Sequence, residues 1–303
     1  MTRVALLFLL LPLAAEPQTA SPRPQNPSPM VERTRAHERL TEQTIGGTTR
    51  RFTGPFGRPV EVWIPEQAPR QRDVHLIVHF LGSAWIPKQA AAQLRAPAVV
   101  AVVNVGAGSG VYHSAFSDPA AFDTLLAGVV REVAAASGIS HHVRRLTLTG
   151  FSAGHGAIRV ILRESRHFAR VNDVLLMDGM HTAYVPEGQV LEKGGALDTT
   201  NLTIWSAFAK AAMAGTKRFV ITHSEIFPGT FASTTETADW VLNAVDLRRT
   251  PVLQWGARGM QQLSEVRAGG FEMLGYAGNS APDHIDHFHA MPELLARLLR
   301  AQP

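Results

Sequence analysis

The residues best suited to chemistry in this sequence surround Ser152. Residues 150–154 read Gly-Phe-Ser-Ala-Gly, between a strand-like run at 145–149 and a helix-like run at 157–168. A serine in a sharp turn from strand to helix exposes its hydroxyl, and small neighbours leave room for the strained backbone. The pattern predicts a nucleophile; a glycine-rich turn that is merely capped by a serine is the alternative.

A serine hydroxyl needs a base to take its proton, and the C-terminal region supplies several histidines. His284, His287 and His289 occur within one short segment. We predict that a loop leading into the last helix carries His284 to Ser152, because the other two lie closer to that helix. His287 remains the alternative base.

Two carboxylates could orient this histidine and stabilise its charged form. Asp178 follows the apolar run Val-Leu-Leu-Met and precedes a glycine, so it should emerge at the carboxyl edge of a sheet, beside Ser152. Glu225 follows the next strand-like run. We favour Asp178 because its transition from strand to turn is the more abrupt, and Glu225 stays open.

An oxyanion site is expected next to the serine. Gly82 follows a buried strand-like run and frees the backbone to point an amide towards the reacting carbonyl. The amides of Ser83 and Ala153 are the predicted donors, since the first amides of a helix lack intrahelical acceptors. Trp85 is either a wall of the acyl pocket or part of the core.

The elements that must position these groups alternate between apolar strands and helix-compatible segments, which predicts a largely parallel sheet with crossover helices. A hairpin at 49–53 and 59–64 should form an antiparallel edge. Further strands are expected at 75–80, 99–105, 145–149, 173–177, 218–222 and 271–275. Helices are expected at 122–137, 153–168, 202–214, 235–244 and 292–301.

Taken in this order, Ser152, the Gly82 loop, Asp178 and His284 resemble the α/β-hydrolase superfamily, over about residues 48–303. The resemblance implies an α/β fold with a mostly parallel sheet of about eight strands and helices on both faces. It also implies a Ser–His–Asp triad that hydrolyses esters, thioesters or amides without a cofactor or metal. Two features depart from the commonest pattern of the superfamily. Leu81 stands where many members have a histidine before the oxyanion glycine, and Asp178 places the acid one strand earlier. Residues 184–200 are either a lid or a long loop.

The N-terminal sequence predicts export. Residues 1–15 have a basic start, an apolar run too short to span a bilayer and small residues at the end, which are features of a secretory signal peptide. Residues 16–47 read as a Pro/Ser-rich linker and a charged surface segment, followed by the catalytic domain at 48–303. We therefore expect a secreted or periplasmic protein without a transmembrane segment.

Composition narrows the possible partners. The formal charge is +4 in 303 residues and the basic residues are scattered, so nucleic acid is not an expected partner. The chain has no cysteine, which excludes disulfides and a thiol nucleophile. The expected partner is a small-molecule or polymeric acyl substrate.

Two other interpretations remain at this point. Asp283 and Asp286 could join the three histidines as metal ligands, although their spacing matches no metal motif. Alternatively, the chain could be a secreted binding protein that keeps a hydrolase fold without a working triad, because fold alone does not establish function.

Overall fold

A ten-stranded sheet forms the centre of the structure, a computed structural model that describes residues 39–68 and 72–300. The strands are β1 Thr48–Thr53, β2 Pro59–Ile64, β3 Asp73–Phe80, β4 Ala98–Val103, β5 His142–Phe151, β6 Asp173–Met177, β9 Arg218–His223, β10 Thr250–Trp255, β11 Gln261–Ala268 and β12 Phe271–Tyr276. Two further strands, β7 Tyr184–Val185 and β8 Ala196–Leu197, pair with each other in a small separate sheet.

The middle of the large sheet is parallel and its edges are antiparallel. The order is β1-β2-β4-β3-β5-β6-β9-β12-β11-β10. All neighbours from β4 to β12 run parallel, whereas the hairpin β1–β2 and strands β10 and β11 join in antiparallel register. The α/β fold class is thus confirmed, with ten strands where about eight were expected.

Helices cover both faces of the sheet. They are α1 Trp85–Ala92, α2 Ser109–Ala115, α3 Pro119–Ser137, α4 His155–Arg163, α5 Ser165–Arg170, α6 Thr203–Met213, α7 Thr234–Ala244, α8 Ala281–His289 and α9 Met291–Leu299. Residues of α3, α4, α6 and α7 belong to the larger apolar cluster, and residues of α1, α8 and α9 to the second. The central strands are buried from both sides, which explains their continuous apolar sequences.

Strand order places a crevice beside β3 and β5. The chain leaves β3 through α1 to β4 on one side and then returns through α2 and α3 to β5 on the other side. The loops at the carboxyl ends of β3 and β5 therefore diverge, which is the position where open α/β sheets bind ligands. These two loops contain Gly82 and Ser152.

The segment that carries His284 is a helix, so the predicted loop is wrong. Helix α8 begins after Ser280, whose side chain and that of Asp283 form a reciprocal capping box, with proline in the first turn. The cap satisfies the first amides of a helix that has only Ile285 and Phe288 as large apolar side chains. His284 is the fourth residue of this helix, and its amide donates to the carbonyl of Ser280.

The predicted helix at 153–168 is two helices. Ser152–Gly154 forms a short 3₁₀ turn, α4 follows, and Glu164 adopts an extended backbone before α5 begins. Helices α1 and α2 and strands β10 and β11 had no counterpart in the sequence analysis. Every residue of β10 is exposed or half-buried, so this strand lacks the apolar alternation that would predict it.

The described part of the N-terminal segment packs against the C-terminal helices. Arg39 forms an ion pair with Asp286, and the amide of Leu40 donates to Nδ1 of His289. The predicted signal peptide at 1–15 lies outside the described residues. Within residues 39–68 and 72–300, no helix has the length and apolar character needed to cross a membrane.

Candidate active site

Ser152 occupies a strained position between β5 and α4. Its φ of 47° lies in the left-handed region, which is uncommon for a residue with a side chain. The turn packs tightly on the end of β3, because a Cβ atom on Gly154 would collide with the carbonyl of Phe80. The structure therefore has the sharp strand-to-helix turn that the sequence predicted around this serine.

Asp178 lies directly after β6, the strand next to β5. Its carboxylate is only 2% exposed and accepts four hydrogen bonds. The donors are the amide and hydroxyl of Ser224, the hydroxyl of Thr234 and Nδ1 of His284, at distances of 2.9, 2.8, 2.6 and 2.6 Å respectively. Such a carboxylate is fully satisfied and held in one orientation.

The environment keeps Asp178 ionised. Burial by itself would raise the pKa of this carboxyl, but nearby His287, together with the hydrogen bonds from His284 and Thr234, holds it well below its ordinary value. A permanently charged acceptor fixes the proton of His284 on Nδ1 and leaves Nε2 free to accept one. This is the protonation pattern that a histidine base requires.

His284 reaches the serine turn through Phe151. Its ring lies 4.7 Å, centroid to centroid, from the ring of Phe151, the residue before Ser152, and its side chain is 23% exposed. The structure thus brings Asp178 and His284 into direct contact and packs the His284 ring against the residue that precedes Ser152. Among the described residues the Ser152 hydroxyl makes no hydrogen bond, so the transfer of its proton to His284 stays a prediction.

The alternative triad members occupy other positions. Glu225 is exposed and its amide bonds the carbonyl of Gly278. His287 is buried, with Nδ1 2.7 Å from the hydroxyl of Thr222. His289 accepts from the amide of Leu40, and Trp85 packs on its ring, 5.8 Å between centroids.

The five proposed metal ligands have separate partners. His284 bonds Asp178, whereas Asp283 caps its own helix and Asp286 pairs with Arg39. Within the described ranges, no group of three or more histidine, aspartate or glutamate side chains is arranged to hold a metal ion. The sequence cluster is dispersed because neighbouring helical residues point in different directions.

The loop after β3 faces the serine turn. Leu81 and Gly82 both have positive φ, 70° and 134°, and Gly82 exchanges two hydrogen bonds of 2.9 Å with the side chain of Asn104. The buried ring of His79 supports this loop through a 2.8 Å hydrogen bond from Nε2 to the Leu81 carbonyl. Burial lowers the pKa of His79 to about 4, so the ring is neutral near pH 7 and can make this bond while Nδ1 faces Thr149. Asn104 and His79 are supporting residues that the sequence analysis missed, because nothing in their local sequence indicates a role.

A cavity of about 440 Å³ opens beside Ser152 and Ala153. Its other walls come from the start of α2, from α4, from the segment after Asp178 and from the loop before α7. They include Ser109, His155, Arg159, His181 and Phe231. None of these wall residues was predicted from the sequence. Trp85, the residue predicted as a possible wall of the acyl pocket, does not line this cavity.

The strand order of the large sheet and the strained serine directly after β5 are those of the α/β-hydrolase fold. A structure of enterobactin esterase from Shigella flexneri is similar at a TM-score of 0.50 with 13% identity, covering 84% of this chain and 60% of that one. One of two fungal esterases from Rhizomucor miehei is similar at 0.44 with 13% identity, covering 85% of this chain and 84% of the other. This chain spans about 60% of the length of the enterobactin esterase structures. No protein-family model matches the sequence, and no curated protein does.

Proposed function

We propose that this protein is a serine hydrolase that cleaves carboxylic esters through a covalent acyl-enzyme. The observation that carries this proposal is the 2.6 Å hydrogen bond between His284 and the buried, ionised Asp178. The His284 ring also packs on Phe151, the residue before Ser152 in its strained turn. A structural histidine at the surface would have no need of a carboxylate enclosed by four donors. The same pairing at a serine is the arrangement that activates a hydroxyl nucleophile.

The reaction begins when Oγ of Ser152 attacks the ester carbonyl carbon and its proton passes to Nε2 of His284. The resulting oxyanion is bound by the amides of Ser83 and Ala153. When the intermediate collapses, the carbon–oxygen bond to the alcohol breaks and His284 returns the proton to the departing alcohol oxygen. A water molecule then attacks the acyl carbon while His284 takes its proton. The bond from the acyl carbon to Oγ breaks, and His284 returns the proton to Oγ, which releases the carboxylic acid and free Ser152.

Asp178 has a positioning role in this scheme. It stays charged and holds the imidazole in the tautomer that accepts the serine proton, and it stabilises the imidazolium that forms. The rigid helix α8 and the ring of Phe151 limit the movement of His284. Glu225 has no part in this mechanism, because its side chain makes no hydrogen bond to His284 or His287 in the described structure.

The test is labelling with a fluorophosphonate probe, followed by mass spectrometry of the adduct. We expect one adduct per molecule on Ser152, none in Ser152→Ala, and normal labelling in Ser117→Ala, which removes an exposed serine hydroxyl elsewhere. A folded wild-type protein that takes up no probe contradicts the proposal and favours a binding protein on a hydrolase fold.

We also propose that the chain is exported, on the strength of the signal-like residues 1–15. Export predicts that the mature protein starts after these residues. Sequencing the N-terminus of the protein recovered from its native host measures this directly. A full-length N-terminus in the cytoplasmic fraction contradicts export and leaves the hydrolase proposal untouched.

A further inference from the structure

Arg159 is a buried cation without a hydrogen-bond or ion-pair partner among the described residues, and it lies in the wall of the cavity next to Ser152. The residue lies in α4 and is only 7% exposed. Its Nε is buried without a hydrogen bond, and no ion pair or hydrogen bond joins the guanidinium to another described residue. Buried charges in proteins are nearly always paired, so this arrangement needs an explanation.

His155 lines the same cavity and is also unsatisfied. The residue is fully buried, and neither ring nitrogen has a hydrogen-bond partner in the described structure. Burial, assisted by His181 and Arg159, holds its pKa well below the ordinary value, so the ring is neutral and keeps one N–H donor. Two buried polar groups without partners in one cavity wall are suited to bind a ligand that has acceptor atoms.

The local charges favour a ligand with one negative charge. Burial and the neighbouring Arg163 lower the pKa of Arg159 to about 10, with Asp198 opposing the shift, so Arg159 remains protonated near pH 7. Asp198 bonds Thr200 and Asn201, and Arg163 bonds the same two residues. Arg159 and Arg163 carry two positive charges and Asp198 carries one negative charge. The net charge of this group is therefore +1, which matches a monoanion better than a dianion.

The geometry favours a carboxylate close to the scissile bond. Arg159 follows Ser152 by two helical turns, on the order of 10 Å along the axis, and helical side chains tilt back towards the N-terminus. The guanidinium is thereby directed back towards the serine. A planar guanidinium matches a carboxylate with two parallel hydrogen bonds, and the cavity has room for a short chain between the two groups.

We propose, on the basis of the serine hydrolase function above, that this enzyme acts on esters whose acyl part ends in a carboxylate, with Arg159 and His155 binding that carboxylate. The substrates are thus monoesters of short dicarboxylic acids. The alcohol part lies outside this subsite. Arg159 is a specificity-determining residue in this scheme and takes no part in proton transfer.

The experiment compares mono-4-nitrophenyl glutarate, which carries a free carboxylate, with the neutral 4-nitrophenyl pentanoate of equal chain length. We expect wild type to have the higher kcat/KM for the glutarate, and Arg159→Met to lower the ratio of the two values at least tenfold. Arg144→Met removes the same charge from an exposed position at the start of β5 and should leave the ratio unchanged. Equal ratios in wild type and Arg159→Met, or parallel loss of both activities, would overturn the proposal.

Stability separates a binding role from a structural one. Since Arg159 is buried without an ion-pair or hydrogen-bond partner within residues 39–68 and 72–300, Arg159→Met should unfold at the same temperature as wild type or higher. A lower melting temperature of the unliganded variant would assign Arg159 to the core and overturn the proposal.

A binding measurement keeps the test independent of catalysis and of the folding of that variant. Calorimetry with Ser152→Ala, which retains Arg159, should show monomethyl glutarate binding at least tenfold more tightly than neutral dimethyl glutarate. Equal binding of the two, or tight binding of inorganic phosphate alone, would overturn the carboxylate subsite. Failure of the serine mechanism appears separately, as absence of probe labelling at Ser152.

Discussion

Nδ1 of His284 lies 2.6 Å from Oδ2 of Asp178, although 106 positions separate the two residues in the sequence. Strand β6 delivers Asp178 and helix α8 delivers His284 to the same edge of the sheet. Because the carboxylate is enclosed by hydrogen-bond donors, its charge acts on the imidazole with little screening by water. The pair is the structural basis for the first prediction.

Replacing Asp178 with asparagine should lower kcat by about 10⁴-fold, because the amide favours the wrong tautomer of His284. Ester hydrolysis by the purified variants measures this. Glu225→Gln is the matched control, since that carboxylate is exposed and follows the neighbouring strand β9. If Glu225→Gln were the variant that lost activity, the assignment of the acid would be reversed.

His284 and His287 should have opposite effects when each is replaced by glutamine. His284→Gln should reduce turnover by several orders of magnitude with little change in stability, because its side chain is partly exposed. His287→Gln should cost about 1–3 kcal/mol of folding free energy, since it disturbs the buried contact with Thr222. Rates and urea unfolding of both variants separate the roles, and a dead but stable His287→Gln would contradict this assignment.

Acid should weaken the protein partly through Asp178. Its folded-state pKa lies below the unfolded value of about 3.9, so its contribution to stability is fully present above that value and is lost as the pH falls below it. The difference in unfolding free energy between wild type and Asp178→Asn should therefore shrink from about pH 5 to about pH 3. Urea unfolding at several pH values tests this, and a difference independent of pH would exclude the linkage.

Gly82→Ala should destabilise the loop after β3. The new Cβ would occupy a backbone at φ 134° and collide with the ring of Phe288, which is stacked between His79 and Phe151 and cannot move aside. We expect a loss of about 3 kcal/mol or more, with reduced activity. Gly57→Ala also has positive φ but faces open space, and it should cost only about 1 kcal/mol. Similar losses in thermal unfolding would argue against the clash.

The sequence was sufficient to predict the alternating architecture and the serine turn. Continuous apolar runs such as Asp173–Met177 gave strands close to those observed, because burial on both faces dictates their composition. Elements with few apolar residues were not predicted, because they lack this compositional signal. Strand β10 is held by pairing to β11 at the sheet edge, and helix α8 by its N-cap, and neither depends on a long apolar pattern.

The choice among candidate residues was made by tertiary structure. In the sequence, Asp178 and Glu225 each follow a strand, and His284 and His287 share one segment; hydrogen bonding across the sheet distinguishes them. Arg159 appears in the sequence as an ordinary cation of a short helix. Only the packing of α2 and α4 around a cavity buries it with no partner in the part of the chain that the structure describes. Local composition determines which strands and turns form, because their backbone preferences and burial are local properties. Which side chains meet depends on strand order and helix packing between residues far apart in the chain, and local patterns carry no information about those distances.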